Sequence, residues 1–171
     1  MTTVVALHGA GGSENLFCEG HGKLAPLLAQ KKGWMLVSPL NGPADDLLDA
    51  LSKWQPVDKG RVVTVGHSMG AANATAWAAR KPEQLKAVAA LGGGGRSGKG
   101  EAWTRIPFFV GVGDKDFALK GAKSLADSLR QSGAGSVTLK VYPGLEHLTV
   151  VQASLEDVFG FFEKSLANPG K

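Results

Sequence analysis

The sequence predicts an α/β protein, a three-layer sandwich whose doubly wound, mainly parallel sheet of about six strands lies between two layers of helices. Three observations lead there. Short apolar runs recur along the chain, helix-like stretches of crossover length separate them, and the 24 glycines mark places where the backbone must turn sharply or approach something closely.

Five of the runs, at residues 3–7, 34–38, 61–66, 87–91 and 107–113, consist mostly of Val, Leu, Ile, Ala and Phe. Near-continuous apolar strands are what a parallel sheet covered on both faces requires. A sixth run, 136–142, alternates Val137, Leu139 and Val141 with polar residues, which suits a sheet edge. Between the runs, Leu24, Leu27 and Leu28 share one predicted helix face, and residues 46–54 supply Leu47, Leu48 and Leu51. The Ala-rich stretch 71–80 ends at Lys81-Pro82, as a helix facing a proline should. The stretch 119–131 stops at Ser132-Gly133, and 148–166 closes before Asn168-Pro169-Gly170. Right-handed crossovers then give the parallel order, and 171 residues suffice for one domain spanning 1–171. Ligands in such sheets bind beyond the carboxyl ends of the strands.

Composition removes several function classes. The formal charge is +4 and the pI about 9.3, but the basic residues are scattered. The densest pairs, Lys31-Lys32 and Arg80-Lys81, fall near predicted helix ends, where they suit the negative end of the helix dipole. No basic stripe with stacking aromatics invites nucleic acid. Cys18 is the single cysteine, so an internal disulfide is impossible and no oxidising compartment is required. The first residues reach a polar His8-Gly9 turn too soon for a signal peptide, and no run is long enough for a membrane span. A soluble cytoplasmic protein is expected. The histidines and Cys18 lack ligand-type spacing, so no metal is expected either.

The chemistry begins at Gly66-His67-Ser68-Met69-Gly70, between the run 61–66 and the Ala-rich helix. In a sharp strand-to-helix turn a serine is pushed outward. The residues two before and two after it crowd one space that glycine fits best. In so glycine-rich a chain the bare pattern is weak, and the flanking strand and helix give it weight. A serine hydroxyl needs a base, and the base an orienting carboxylate. Asp114 and Asp116 follow the run 107–113, and His147 follows the run 136–142. Ser, Asp and His thus fall on three loops at one sheet edge. The backbone N–H of Met69, opening a helix, is a natural donor to an oxyanion.

These features resemble the α/β-hydrolase superfamily, especially its small carboxylesterase, thioesterase and dienelactone-hydrolase-like members. The resemblance rests on His8-Gly9-Ala10-Gly11-Gly12, the Ser68 turn, Gly113-x-x-Asp116 and Gly144-x-x-His147. It implies Asp116 rather than Asp114 as the acid, His147 as the base, and the N–H of Ala10 as a second oxyanion donor. It makes His8 structural. His67, adjacent to Ser68 in the turn, should point away from it, and His21 could line a pocket or the surface.

Family members usually carry two further strands before the one ending in His8-Gly9. Their absence predicts six strands and an edge at which a second copy could pair as a homodimer. The connection 92–105 is too short for a lid domain, which implies an open site and speaks against a lipase acting at an oil interface. The expected activity is hydrolysis of small-molecule carboxylic esters through an acyl-enzyme, without a cofactor, nucleic acid or membrane. Thioester cleavage by the same residues, or ligand or protein binding without catalysis, are the alternatives. Phe17, Trp103, Phe117 and Leu148 flank the motif loops and are expected either to line the pocket or to pack the core. The run Gly93-Gly94-Gly95-Arg96-Ser97-Gly98-Lys99 matches most of a phosphate-binding loop. However, Gly100 stands where a Mg²⁺-binding Ser or Thr belongs, and Pro107 arrives too soon for the helix that should follow.

Overall fold

A computed structural model describes residues 1–43 and 46–167. The chain runs β1 (Thr3–Leu7), α1 (Asn15–Cys18), α2 (Leu24–Lys31), β2 (Met35–Val37), α3 (Leu47–Ser52), β3 (Val62–His67) and α4 (Met69–Arg80). It continues through β4 (Ala87–Leu91), α5 (Glu101–Thr104), β5 (Phe108–Gly113), α6 (Leu119–Gln131), β6 (Val137–Tyr142) and α7 (Thr149–Ala167). The six strands form one sheet in the order β2-β1-β3-β4-β5-β6, and every pair is parallel. All six expected strands are present, and β6 lies at an edge as its alternation predicts. The Asn168-Pro169-Gly170 stop expected after the last helix lies outside the described residues.

Side chains alternate across the strands and so divide the core in two. Val5, Leu7, Val88, Ala90, Phe108 and Val110 face one layer, with Leu48, Trp77, Trp103 and Leu125 from α3 to α6. Val4, Ala6, Val63, Val65, Ala89 and Leu91 face the other, with Phe17, Ala25 and the long apolar side of α7. In α6 the buried set Ala122, Leu125, Ala126 and Leu129 repeats at helical spacing, so one stripe packs on the sheet.

Two expectations need correction. In α2 the buried residues are Ala25 and Ala29, with Leu24 and Leu28 beside them only partly covered, and Leu27 is 56 % exposed. Leu27 lies roughly 130° round the helix from the centre of that arc, so the three leucines do not share one covered face. β2 is shorter than its run and only half-buried, because it is the outermost strand beside β1. Among the described residues, no helix is long and apolar enough to cross a membrane.

The strand order reverses direction between β1 and β3. The first crossover leads outward from β1 to β2, and the next returns across to β3. That switch point opens a crevice at the carboxyl ends of β1 and β3, beside His8 and Ser68.

Candidate active site

Ser68 is the single residue between β3 and α4, and its backbone sits at φ 58°, ψ −117°. A positive φ at a residue with a Cβ costs on the order of 1–3 kcal/mol and persists only where the surroundings enforce it. Here the surroundings are explicit. A Cβ on Gly66 would lie 2.0 Å from the Gly70 carbonyl oxygen, and one on Gly70 would lie 2.0 Å from that of Leu7. Strand, turn and helix are therefore in backbone contact, which only glycine permits. The Ser68 N–H donates to the Leu91 carbonyl at 2.8 Å and ties the turn to β4.

Asp116 follows β5 in a turn and is 5 % exposed. Its Oδ1 accepts the Ala118 N–H at 2.8 Å and lies 2.9 Å from Nδ1 of His147. The other ring nitrogen of His147, Nε2, lies 2.9 Å from Ser68 Oγ. A carboxylate oxygen that already accepts from a backbone N–H accepts from the ring as well. His147 is thereby protonated on Nδ1, and its Nε2 is left to accept the serine proton. The loop carrying His147 is braced by Glu146 N–H to Thr149 Oγ1 at 2.9 Å and by Lys115 N–H to the Leu145 carbonyl at 3.1 Å. Asp114 faces elsewhere: its Oδ1 accepts the Gly144 N–H at 2.7 Å, holding the turn before that loop.

Residues 44–134 match the family model of the α/β-hydrolase fold. The chain belongs to the α/β-hydrolase fold family. In shape it is similar to an S-formylglutathione hydrolase from Agrobacterium tumefaciens, at TM-score 0.79 and 15% identity over 96% of this chain and 84% of that one. A ferulic acid esterase is similar at TM-score 0.79 and 18% identity, over 96% and 85% of the two chains. A fluorophosphonate-binding serine hydrolase of Staphylococcus aureus is similar at TM-score 0.77 and 12% identity, over 95% and 83%. At these identities the likeness is one of fold. Comparison with curated proteins finds no match.

In this α/β-hydrolase-fold chain the first turn passes directly beside the serine. A Cβ on Gly9 would lie 3.0 Å from Ser68 Cβ, and the Gly12 N–H closes the turn onto the Gly9 carbonyl at 3.1 Å. Ala10 sits inside that turn. Met69 opens α4, so its N–H has no partner within the helix. The ring nitrogens of His8, Nδ1 and Nε2, lie 2.8 and 2.6 Å from the Gly9 and Leu40 carbonyl oxygens, and the neutral ring donates to one of them. His21 is half-buried at φ 53°, with Nε2 buried and unpartnered, and burial pulls its pKa down.

His67 is the residue whose role the sequence did not disclose. It does turn away from Ser68, but into the site's foundation: its Nε2 lies 2.8 Å from the His147 carbonyl oxygen, with the two rings 4.6 Å apart. The available signal was strand period, since His67 continues the face of Val63 and Val65.

The four expected pocket residues divide. Phe17 and Trp103 are 1 % and 0 % exposed and belong to the two core layers, so neither borders the site. Trp103 instead donates its Nε1–H to Ser132 Oγ at 3.1 Å. Phe117 and Leu148 are exposed and, with Lys115, Glu146, His147 and Thr149, line a cleft of about 310 Å³. The Phe117 ring stands 4.2 Å from that of His147. A smaller cleft of about 100 Å³, bordered by His8, Leu40, Met69 and Asn73, lies beside the serine turn. Of the glycines that looked like a phosphate loop, Gly93 and Gly95 pack onto α4 and its cap, and Gly98 packs on Trp103. A Cβ on Gly93 would lie 2.6 Å from the Ser68 carbonyl oxygen, and one on Gly95 would lie 2.1 Å from Thr75 Oγ1.

Proposed function

We propose that the protein is a serine hydrolase that cleaves small carboxylic esters through an acyl-enzyme, with Ser68, His147 and Asp116 as its catalytic residues. One observation carries this reading: the continuous path from Ser68 Oγ to His147 Nε2 and from His147 Nδ1 to Asp116 Oδ1, each step 2.9 Å.

Ser68 Oγ attacks the ester carbonyl carbon while its proton passes to His147 Nε2. The carbonyl oxygen takes up the negative charge and receives hydrogen bonds from the N–H groups of Met69 and Ala10. Collapse breaks the bond to the alkoxy oxygen, which leaves as the alcohol with the proton from His147. Water then attacks the acyl carbon as His147 takes its proton. The second collapse releases the acid and returns the proton to Ser68. Asp116 holds the ring in the tautomer this sequence needs.

The rim suits a small apolar acyl or alkyl group, because Met69, Phe117, Leu40 and Leu148 are all exposed around the clefts. The reading takes residues 1–171 as one domain, cytoplasmic and free of cofactors, with a small-molecule ester as substrate. Turnover of p-nitrophenyl esters of increasing acyl length, run beside Ser68→Ala, tests it. The substitution should remove hydrolysis at every length, and unchanged activity in Ser68→Ala would refute the mechanism.

A further inference from the structure

His67 is used neither by the proposed acyl transfer nor by the apolar core, yet only 2 % of it is exposed. Its position follows from strand geometry. Along β3, Val63 and Val65 face the α7 layer, and alternation puts His67 on the same face, beneath the loop that leads into α7. A carbonyl only accepts, so the 2.8 Å contact with His147 O places a proton on His67 Nε2 and makes the ring the donor. Burial depresses the pKa of His67. The His147 and His21 rings also oppose a charge there, while the bond to the His147 carbonyl and Asp116 favour one. The net direction is downward, and the ring is neutral near pH 7.

Acyl transfer makes two demands on His147 at once, since Nε2 must reach Ser68 and Nδ1 must reach Asp116. An imidazole turns about only two side-chain bonds, so the ring goes where the backbone of residue 147 is held. The neighbouring residues 145 and 146 are braced by Lys115 and Thr149. Among the described residues, the bond that reaches the backbone of residue 147 itself comes from His67.

We infer that His67 is a positioning residue for the reaction: donating Nε2–H to the His147 carbonyl from a rigid strand end, it keeps the His147 ring in reach of Ser68 and Asp116 together. This rests on the acyl-transfer reading above.

Two variants separate the hydrogen bond from the bulk of the ring. His67→Phe keeps a planar ring and removes the donor, whereas His67→Gln offers an N–H of similar reach. With p-nitrophenyl acetate, His67→Phe should lose about 10²-fold in kcat, with KM changed by no more than about twofold. His67→Gln should recover most of that loss. Wild-type kcat in His67→Phe, or equal impairment in both variants, overturns the inference. On the unaltered protein, ¹⁵N imidazole NMR at pH 7.5 should show His67 neutral and protonated on Nε2. A neutral ring protonated on Nδ1 overturns the inference whether or not either variant folds. A wild-type protein inert toward every ester removes the acyl-transfer reading and this inference with it, whereas failure of the His67 role alone leaves wild-type turnover intact.

Discussion

Asp114 and Asp116 stand two residues apart at the end of one strand, yet their carboxylates serve different partners. Asp116 faces inward to His147 and Ala118, whereas Asp114 faces the Gly144 N–H. Asp116→Asn presents the ring with an amide that no longer enforces its tautomer, and kcat should fall about 10⁴-fold. Asp114→Asn should keep kcat within a few-fold and cost roughly 1 kcal/mol of stability through the weakened turn. Steady-state kinetics beside urea unfolding of both variants checks the division of roles.

Gly92 packs directly against the side chains of Asp116 and His147. It sits at φ 55°, and a Cβ there would lie 2.9 Å from Asp116 Oδ2 and 3.3 Å from His147 Nδ1. Gly92→Ala should therefore cost about 1–2 kcal/mol in backbone strain. It should also lower kcat on the order of 10²-fold by displacing the pair. Loss of kcat together with a lowered urea midpoint is the expected signature, and full activity in a folded variant would contradict it.

Trp103, buried in the core, and Phe117, exposed on the cleft beside His147, should respond to truncation in opposite ways. Trp103→Ala opens a cavity beside Phe108 and should cost about 3–5 kcal/mol, with kcat largely retained in the folded fraction. Phe117 is 82 % exposed, so Phe117→Ala should change stability by less than about 0.5 kcal/mol. It should raise KM for butyryl and hexanoyl esters roughly tenfold. Thermal melts and a chain-length series distinguish the two cases.

Two histidines, one buried and one half-buried, make stability depend on pH with a definite sign. His67 and His21 both have pKa values lowered from 6.5, chiefly by burial, so the unfolded chain binds protons that the folded one refuses. Their contribution is fully present above about pH 6.5 and is lost as pH falls from there through the folded-state values. Urea midpoints at pH 7.5 and 5.5 should show the folded state weakened at the lower pH. His67→Gln, which has no such titration at this position, should show a smaller drop.

How much of this was legible in the sequence depended on whether the physics was local. Parallel strands buried on both faces must be apolar throughout, so β1, β3, β4 and β5 stood out as runs, and β6 announced its edge by alternating. The glycines flanking Ser68 were legible because the backbone packs so closely there that any Cβ would overlap a carbonyl oxygen. Leu27 misled because three leucines at plausible spacing do not reveal which arc of α2 the alanines will press to the core. Phe17 and Trp103 misled because closeness to a motif along the chain says nothing of direction: both point into the core layers rather than toward the crevice. What His67 turns toward was not legible because its partner lies 80 residues away in the chain.

The claim on which the others depend is that Ser68 is the nucleophile. Reaction of the wild-type protein with a fluorophosphonate, followed by intact mass and peptide mapping, tests it most directly. One adduct per chain, located on Ser68 and forming in step with the loss of esterase activity, is predicted. Hydrolysis that continues in a protein whose Ser68 is fully modified, or an adduct formed on another residue as activity disappears, would contradict the account.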